Sequence, residues 1–135
     1  MSDTPALTLA ETVASGFIRD YEIFAGRVRA LADGLSDEEF WTRPRPYGNS
    51  IAHLTLHITG NLNYYIGTQI AGTGYVRDRP REFAETVRRP KAEVLAALDE
   101  AVAMVVRTIR TQRTEDWMLP YSAVGADAPT RFALT

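Results

Sequence analysis

The chain has 135 residues, the length of one domain, and its 45% hydrophobic and 24% charged residues are typical of a soluble globular protein. This composition excludes a disordered or collagen-like chain. The formal net charge of −2 argues against a nucleic-acid partner, and the lack of cysteine excludes disulfide bonds, thiolate metal ligands and cysteine nucleophiles.

The first predicted helix begins at Thr8 and Glu11, whose spacing is that of a capping box. Apolar residues then recur every three or four positions through 13–35 and form one stripe. Gly34 is expected to end this helix. A second capping box predicts a short helical turn over 36–41.

The second predicted helix starts at a cap, Asn49 or Ser50, and runs to about Gly72. Its predicted buried stripe consists of Ile51, Leu54, Ile58, Leu62, Tyr65 and Gln69. No residue of this helix is charged, and such a helix is usually covered on more than one side. We therefore expect a fourth helix, a partner subunit or a ligand cleft to lie against it.

The uncharged stretch 46–76 is long enough to cross a bilayer, which takes about 20 residues. Its many polar side chains argue against a membrane span. The stretch 1–9 lacks the basic start and apolar run of a secretory signal. We therefore expect a cytoplasmic protein that has no contact with a membrane.

The rest of the chain predicts one more long helix. Residues 77–89 mix arginine with acidic residues, which favours a solvated, salt-bridged loop over an anion-binding loop. Pro90 fits the first turn of a third long helix that continues to about Ile109. Proline and glycine after Trp117 predict irregular structure, and no strand pattern is found before another element begins at Thr130. The sequence therefore predicts an all-α fold.

A polar stripe follows the second helix beside its apolar stripe and contains His53, His57, Asn61 and Tyr64. The two histidines are four residues apart, a spacing at which both can bind one metal ion. Leu54 stands where a zinc protease needs glutamate, so that chemistry is excluded. Spacing alone favours hydrogen-bonded or solvated histidines over metal ligands. The carboxylates that could complete a site are those of Asp78, Glu82 and Glu85.

Residues 49–62, together with the charged segment 77–83, resemble the DinB-like superfamily, and most closely its small bacterial members of uncharacterised function. The resemblance implies an up-down-down-up four-helix bundle, commonly a homodimer, that forms one domain over 1–135. The fourth helix is expected to be missing or only begun, because the sequence stops at Thr135.

The resemblance also implies a divalent metal, zinc or nickel, held by three histidines. His57 matches the ligand on the second helix, whereas His53 is not a usual ligand and is the weaker alternative. Asn61 and Tyr64 are expected to line the pocket. The two further histidine ligands, which in the family stand on the fourth helix, have no counterpart in this sequence.

Relatives of known activity include thiol S-transferases, which use a thiol such as bacillithiol or mycothiol, and the YfiT-like metal hydrolases. The resemblance therefore implies a metal-dependent transferase or hydrolase that acts on a small electrophile. The alternative is a non-catalytic bundle that dimerises through its uncharged second helix. The sequence leaves both functions open.

Overall fold

The computed structural model describes residues 5–135, and its fold is all-α with one short β-hairpin. The helices are α1 (Leu9–Asp33), α2 (Asp37–Trp41), α3 (Ile51–Leu62), α4 (Arg79–Ala84), α5 (Lys91–Thr111), α6 (Thr114–Trp117) and α7 (Arg131–Leu134), and the strands are β1 (Tyr121–Ala123) and β2 (Ala126–Ala128). The first four residues of the stretch considered above for a secretory signal lie outside this description. Within 5–135, no helix combines the length and the apolar character that crossing a membrane requires.

Both predicted capping boxes are present. The Thr8 hydroxyl accepts a hydrogen bond from the backbone N–H of Glu11, whose carboxylate accepts one from the backbone N–H of Thr8. Ser36 and Glu39 make the same reciprocal pair at the start of α2. Each box satisfies backbone donors that have no partner inside the helix, so these helices begin where the sequence predicts.

The second predicted helix is one continuous helical segment in two forms. Ser50 caps α3 by accepting from the backbone N–H of His53, and the segment continues beyond Leu62 as a π-helix over Asn63–Ala71. Gly72 then ends it with a left-handed backbone, at φ +66°. The predicted start and end are confirmed, whereas the π-helical part was not predicted.

The three long helices run up, down and down. One buried cluster joins Ala32 of α1 and Ala52 of α3 to Val94 near the start of α5. A second cluster joins the opposite end of α1, the end of α3 and the later part of α5. Helix α5 contacts both of the others, so α1 is antiparallel to it and α3 is parallel to it.

Helix α7 runs in the same direction as α1. Its Phe132 ring packs 5.5 Å from the Phe17 ring, and the carbonyl of Thr135 accepts a hydrogen bond from the Tyr21 hydroxyl. The directions of α1, α3, α5 and α7 therefore follow the up-down-down-up order that the resemblance implies, with α7 contributing one turn.

The predicted buried stripe of the second helix is wrong in part. Leu54 and Ile58 are 41% and 36% exposed, whereas Ala52 and Thr55 are almost fully buried. Small side chains let α3 approach α5 closely, and this close contact determines which face is covered. Helix α1 shows the same effect, because its Ala14 and Ala32 are buried while Phe24 and Leu31 of its predicted stripe are exposed.

The charged segment after the second helix is not a solvated loop throughout. Residues Arg79–Ala84 form α4, whose N-cap Asp78 accepts from the backbone N–H of Arg81. Proline at the start of the helix is tolerated because the first N–H groups need no partner within the helix. Helix α4 packs against α3, which buries Glu82.

The segment after Trp117 contains a hairpin that the sequence did not predict. Strands β1 and β2 pair antiparallel, with Tyr121 opposite Ala128. Each strand has three residues, too few to show an alternating pattern. The two-residue turn between them contains Gly125, whose φ of +85° is a conformation that glycine adopts without steric cost.

Lys91, the only lysine in the sequence, joins α5 to the end of α1. Its ammonium group donates hydrogen bonds to the backbone carbonyls of Ala32, at 2.9 Å, and Leu35, at 2.5 Å. The last carbonyls of a helix have no partner inside it and carry partial negative charge, so a cation stabilises this end of α1.

Candidate functional site

The junction of α3 and α4 brings His57 next to Glu82. The ring nitrogen Nδ1 of His57 lies 3.1 Å from Glu82 Oε1, although the two residues are far apart in the sequence. The glutamate side chain is 8% exposed and the histidine side chain 27% exposed. The carboxylate is therefore held inside the protein while part of the imidazole ring reaches the surface.

The surroundings of Nδ1 determine which nitrogen of His57 carries its proton in the neutral ring. The carboxylate of Glu82 can only accept, so an unprotonated Nδ1 would place two lone pairs against each other. The guanidinium Nη2 of Arg77 lies 3.2 Å from the same Nδ1, and one of its two N–H groups donates to Glu82 Oε1. The form with the proton on Nδ1 is the one in which His57 donates to Glu82, and in this form the lone pair lies on Nε2.

Nε2 makes no hydrogen bond with any residue between 5 and 135. The His57 ring packs against Phe83, with ring centroids 4.7 Å apart, and this contact fixes its orientation. An oriented, partly exposed imidazole with a free lone pair can bind a metal ion, accept a proton or accept a hydrogen bond from a ligand.

Arg77 holds the carboxylate of Glu82 in a two-point ion pair. Its Nε lies 3.0 Å from Oε2 and its Nη2 lies 2.9 Å from Oε1. Both side chains are 8% exposed, so water screens this pair weakly. The hydrogen bonds that Arg77 donates to Glu82 raise the pKa of Arg77 above its usual value. The predicted salt bridging of this segment is therefore confirmed here, whereas the predicted solvation is wrong for this pair, which is buried.

His53 has protein partners at both ring nitrogens. Its Nε2 lies 2.9 Å from the carbonyl oxygen of Glu85 and must carry a proton there, while the Ser50 hydroxyl lies 2.5 Å from Nδ1 and donates to it. The ring is buried and meets the Trp41 ring edge to face. This is the arrangement of a structural histidine, and metal binding by His53 would require one of these hydrogen bonds to break.

The remaining members of the predicted polar stripe lie further along the same helical segment. Asn61 is half-buried, one turn after His57. Tyr64 is in the π-helical part, where its hydroxyl accepts a hydrogen bond at 3.0 Å from the backbone N–H of Val124. Tyr64 thus contacts the hairpin turn and lies beyond the immediate surroundings of His57.

Of the three carboxylates considered from the sequence, only that of Glu82 contacts the imidazole of His57. The carboxylate of Glu85 instead bonds to Arg81 and to the backbone N–H of Val87. No pattern in the sequence indicated the role of Arg77. The Asp-x-Pro start of α4 was the available signal, because it predicts a helix whose first turn contains Glu82.

The residues of this junction fit one ligand of a metal centre and not a complete centre. In the region 5–135, no three His, Cys, Asp or Glu side chains come close enough together to hold a metal ion. A protein-bound zinc site has three or four such ligands. The donor chemistry of His57 matches the family pattern, and the number of donors does not.

The comparisons identify one family. The model of the DinB superfamily matches residues 21–133, from the middle of α1 into α7. No match was found among curated proteins or among solved structures.

Proposed function

The chain belongs to the DinB superfamily, and from this membership we propose that His57 is a ligand of a divalent metal ion, zinc or nickel. The activity we propose is transfer of a low-molecular-weight thiol, such as bacillithiol or mycothiol, to a small electrophile, or hydrolysis of such a compound. The supporting observation is the hydrogen bond between His57 Nδ1 and the buried carboxylate of Glu82.

Metal-binding histidines usually donate their second ring N–H to a carboxylate or a carbonyl, which orients the ring and raises its basicity. Glu82 supplies that carboxylate, and Arg77 fixes it from the other side. These residues position one nitrogen, Nε2 of His57. A divalent ion lowers the pKa of a thiol or water bound to it, which is the chemistry that both proposed activities share.

The residues between 5 and 135 supply one metal ligand, His57, which is too few to derive a reaction step. The remaining donors would have to be water, a thiol co-substrate or side chains outside these residues. His53 is not included, because both of its ring nitrogens have protein partners.

Metal content per chain tests the proposal, measured by inductively coupled plasma mass spectrometry on untagged protein after dialysis against zinc or nickel. We expect about one equivalent in the wild type and a loss in His57→Ala. We expect Glu82→Gln to weaken affinity by about 10- to 100-fold while the ring remains. Arg81→Gln is the control, because Arg81 is exposed and pairs with Glu85 rather than with Glu82. Equal metal content in the wild type and His57→Ala would refute the proposal.

A second candidate function is a non-catalytic bundle that dimerises through α3. It is supported by Leu54 and Ile58, two exposed apolar residues on a helix without charged side chains. Sedimentation velocity at micromolar concentration tests it. This function predicts a dimer whose mass does not change with a chelator and which dissociates in Leu54→Asp. A monomeric wild type would exclude it.

A further inference from the structure

A cleft of about 700 Å³ lies between the π-helical segment, the approach to α4 and the hairpin turn. Its walls include Tyr64, Tyr65, Tyr75, Arg77, Arg79 and Gly125. It is a different place from the imidazole of His57, although Arg77 takes part in both. No carboxylate is among the lining residues. This lining suits a flat anionic molecule, because a flat molecule can stack on aromatic rings and an anion can pair with a guanidinium group.

The hairpin turn holds the tyrosine walls of the cleft in place. The Tyr65 hydroxyl donates to the carbonyl of Val124 at 3.3 Å, and the backbone N–H of Val124 donates to the Tyr64 hydroxyl at 3.0 Å. The Tyr121 hydroxyl also donates to the carbonyl of Tyr65, at 2.8 Å. With these hydroxyls engaged, the two tyrosines present fixed rings rather than mobile phenols, which reduces the entropy lost on binding.

The two arginines of the cleft differ in their charge partners. Arg77 forms its ion pair with Glu82, and its guanidinium carbon lies 5.5 Å from the centre of the Tyr65 ring. Arg79 makes no ion pair within the described region, and its guanidinium carbon lies 5.4 Å from the Phe83 ring centre. Arg79 therefore carries the cleft's uncompensated positive charge, and one such charge suits a ligand with a single negative charge.

We propose that this cleft binds a small planar monoanion, specifically an aromatic carboxylate. The ring of the ligand lies against the tyrosines and its carboxylate pairs with Arg79. A guanidinium group matches a carboxylate because two parallel N–H groups can donate to its two oxygens. The π-helix contributes Tyr64 and Tyr65 to the walls of the cleft, and π-helical turns are frequent at functional sites. The proposal does not depend on a metal at His57.

Titration with 2-naphthoate, followed by ligand-observed nuclear magnetic resonance, tests this assignment, with uncharged 2-naphthamide as the matched probe. We expect saturable naphthoate binding that Arg79→Gln weakens about tenfold, the loss of one charged hydrogen-bonded pair. Binding of 2-naphthamide should be weaker than that of naphthoate and the same in both proteins. Arg81→Gln removes an arginine from the same short helix but outside the cleft, and it should bind naphthoate like the wild type.

Tyr65→Leu locates the ring of the ligand, since it removes an aromatic wall and should weaken both probes. Thermal unfolding of each variant checks that it is folded. A chelator should leave naphthoate binding unchanged, which separates this result from the outcome of the metal experiment. Absence of saturable binding, equal weakening by the two arginine variants, or equal affinity for the charged and uncharged probes would each overturn the proposal.

Discussion

Gly60 provides the space that the carboxylate of Glu82 occupies. A Cβ atom at position 60 would lie 2.7 Å from the carboxyl carbon of Glu82, closer than such atoms approach in proteins. Because Gly60 carries no side chain, the carboxylate of Glu82 in α4 can reach α3 and contact His57. The orientation of the histidine depends on a residue one turn away that has no side chain.

Gly60→Ala should therefore destabilise the protein, although alanine favours a helix over glycine by about 1 kcal/mol. The added methyl group must displace Glu82 and its ion pair with Arg77, and overpacking of this kind costs about 1–3 kcal/mol. Chemical denaturation measures the change. Gly26→Ala is the control, because a Cβ there meets nothing within 4 Å and should stabilise α1. Stabilisation by both variants would contradict this account.

The Arg77–Glu82 pair should show strong coupling in a double-mutant cycle. Removing one partner of a buried ion pair leaves an uncompensated charge and costs about 3–5 kcal/mol. We expect Arg77→Met and Glu82→Gln each to lower the free energy of unfolding, and the double variant to lose less than the sum. The exposed pair Arg113–Glu115 is the comparison, with a coupling below about 1 kcal/mol. Additive losses at the buried pair would show that it is not coupled.

The capping boxes predict a loss of stability in acid. Glu11 accepts hydrogen bonds from Thr8, and Glu39 accepts them from Ser36. These bonds hold the pKa of both carboxyl groups below the usual 4.5, and the bond from the backbone N–H has the largest effect in each case. A lowered folded-state pKa contributes stability that is present above the unfolded value and is lost as pH falls through the folded value.

We therefore expect Glu39→Gln to lower the melting temperature near neutral pH and to have a smaller effect in acid, once the pH lies below the folded-state pKa of Glu39. Glu38→Gln removes a charge from the same helical turn but not from the group that accepts the hydrogen bond of the Ser36 N–H, and should have the smaller effect at neutral pH. The same difference between Glu39→Gln and the wild type at both pH values would rule out this explanation.

Tyr121 should ionise well above the ordinary tyrosine pKa of 10.0. Burial raises its pKa to about 12, and its hydroxyl donates to the carbonyl of Tyr65. An absorbance titration of the folded protein should show a component near this value that disappears in Tyr121→Phe. The exposed Tyr47→Phe should retain it. The stability that the protonated phenol contributes should be lost as pH rises from the ordinary value of 10.0 towards 12.

Local signals made the helix starts predictable. Thr8 with Glu11, and Ser36 with Glu39, satisfy backbone groups within four residues of themselves, so no tertiary information is needed. The covered face of the second helix was less predictable, because a helix without charges has no polar side to mark the solvent. Small residues such as Ala52 set its contact with α5, and the longer Leu54 stayed exposed.

The candidate site was predictable only through His57. Its partner Glu82 was one of three acids that the sequence could not rank, because the choice depends on how α4 packs against α3. The spacing of His53 and His57 suggested a shared role, but one ring is enclosed by backbone and serine partners while the other reaches the surface. Two residues on one helix face therefore have different environments because different segments pack over them.

The rate at which the Lys91 amine is acylated should report how often the contact between α1 and α5 opens. Acylating reagents attack a free amine, and this amine is engaged by two carbonyls at the end of α1. Modification must therefore wait until the junction of α1 and α5 opens locally. Since the sequence contains one lysine, the rate at which the peptide containing it gains mass reports the opening of that single junction, with no label introduced.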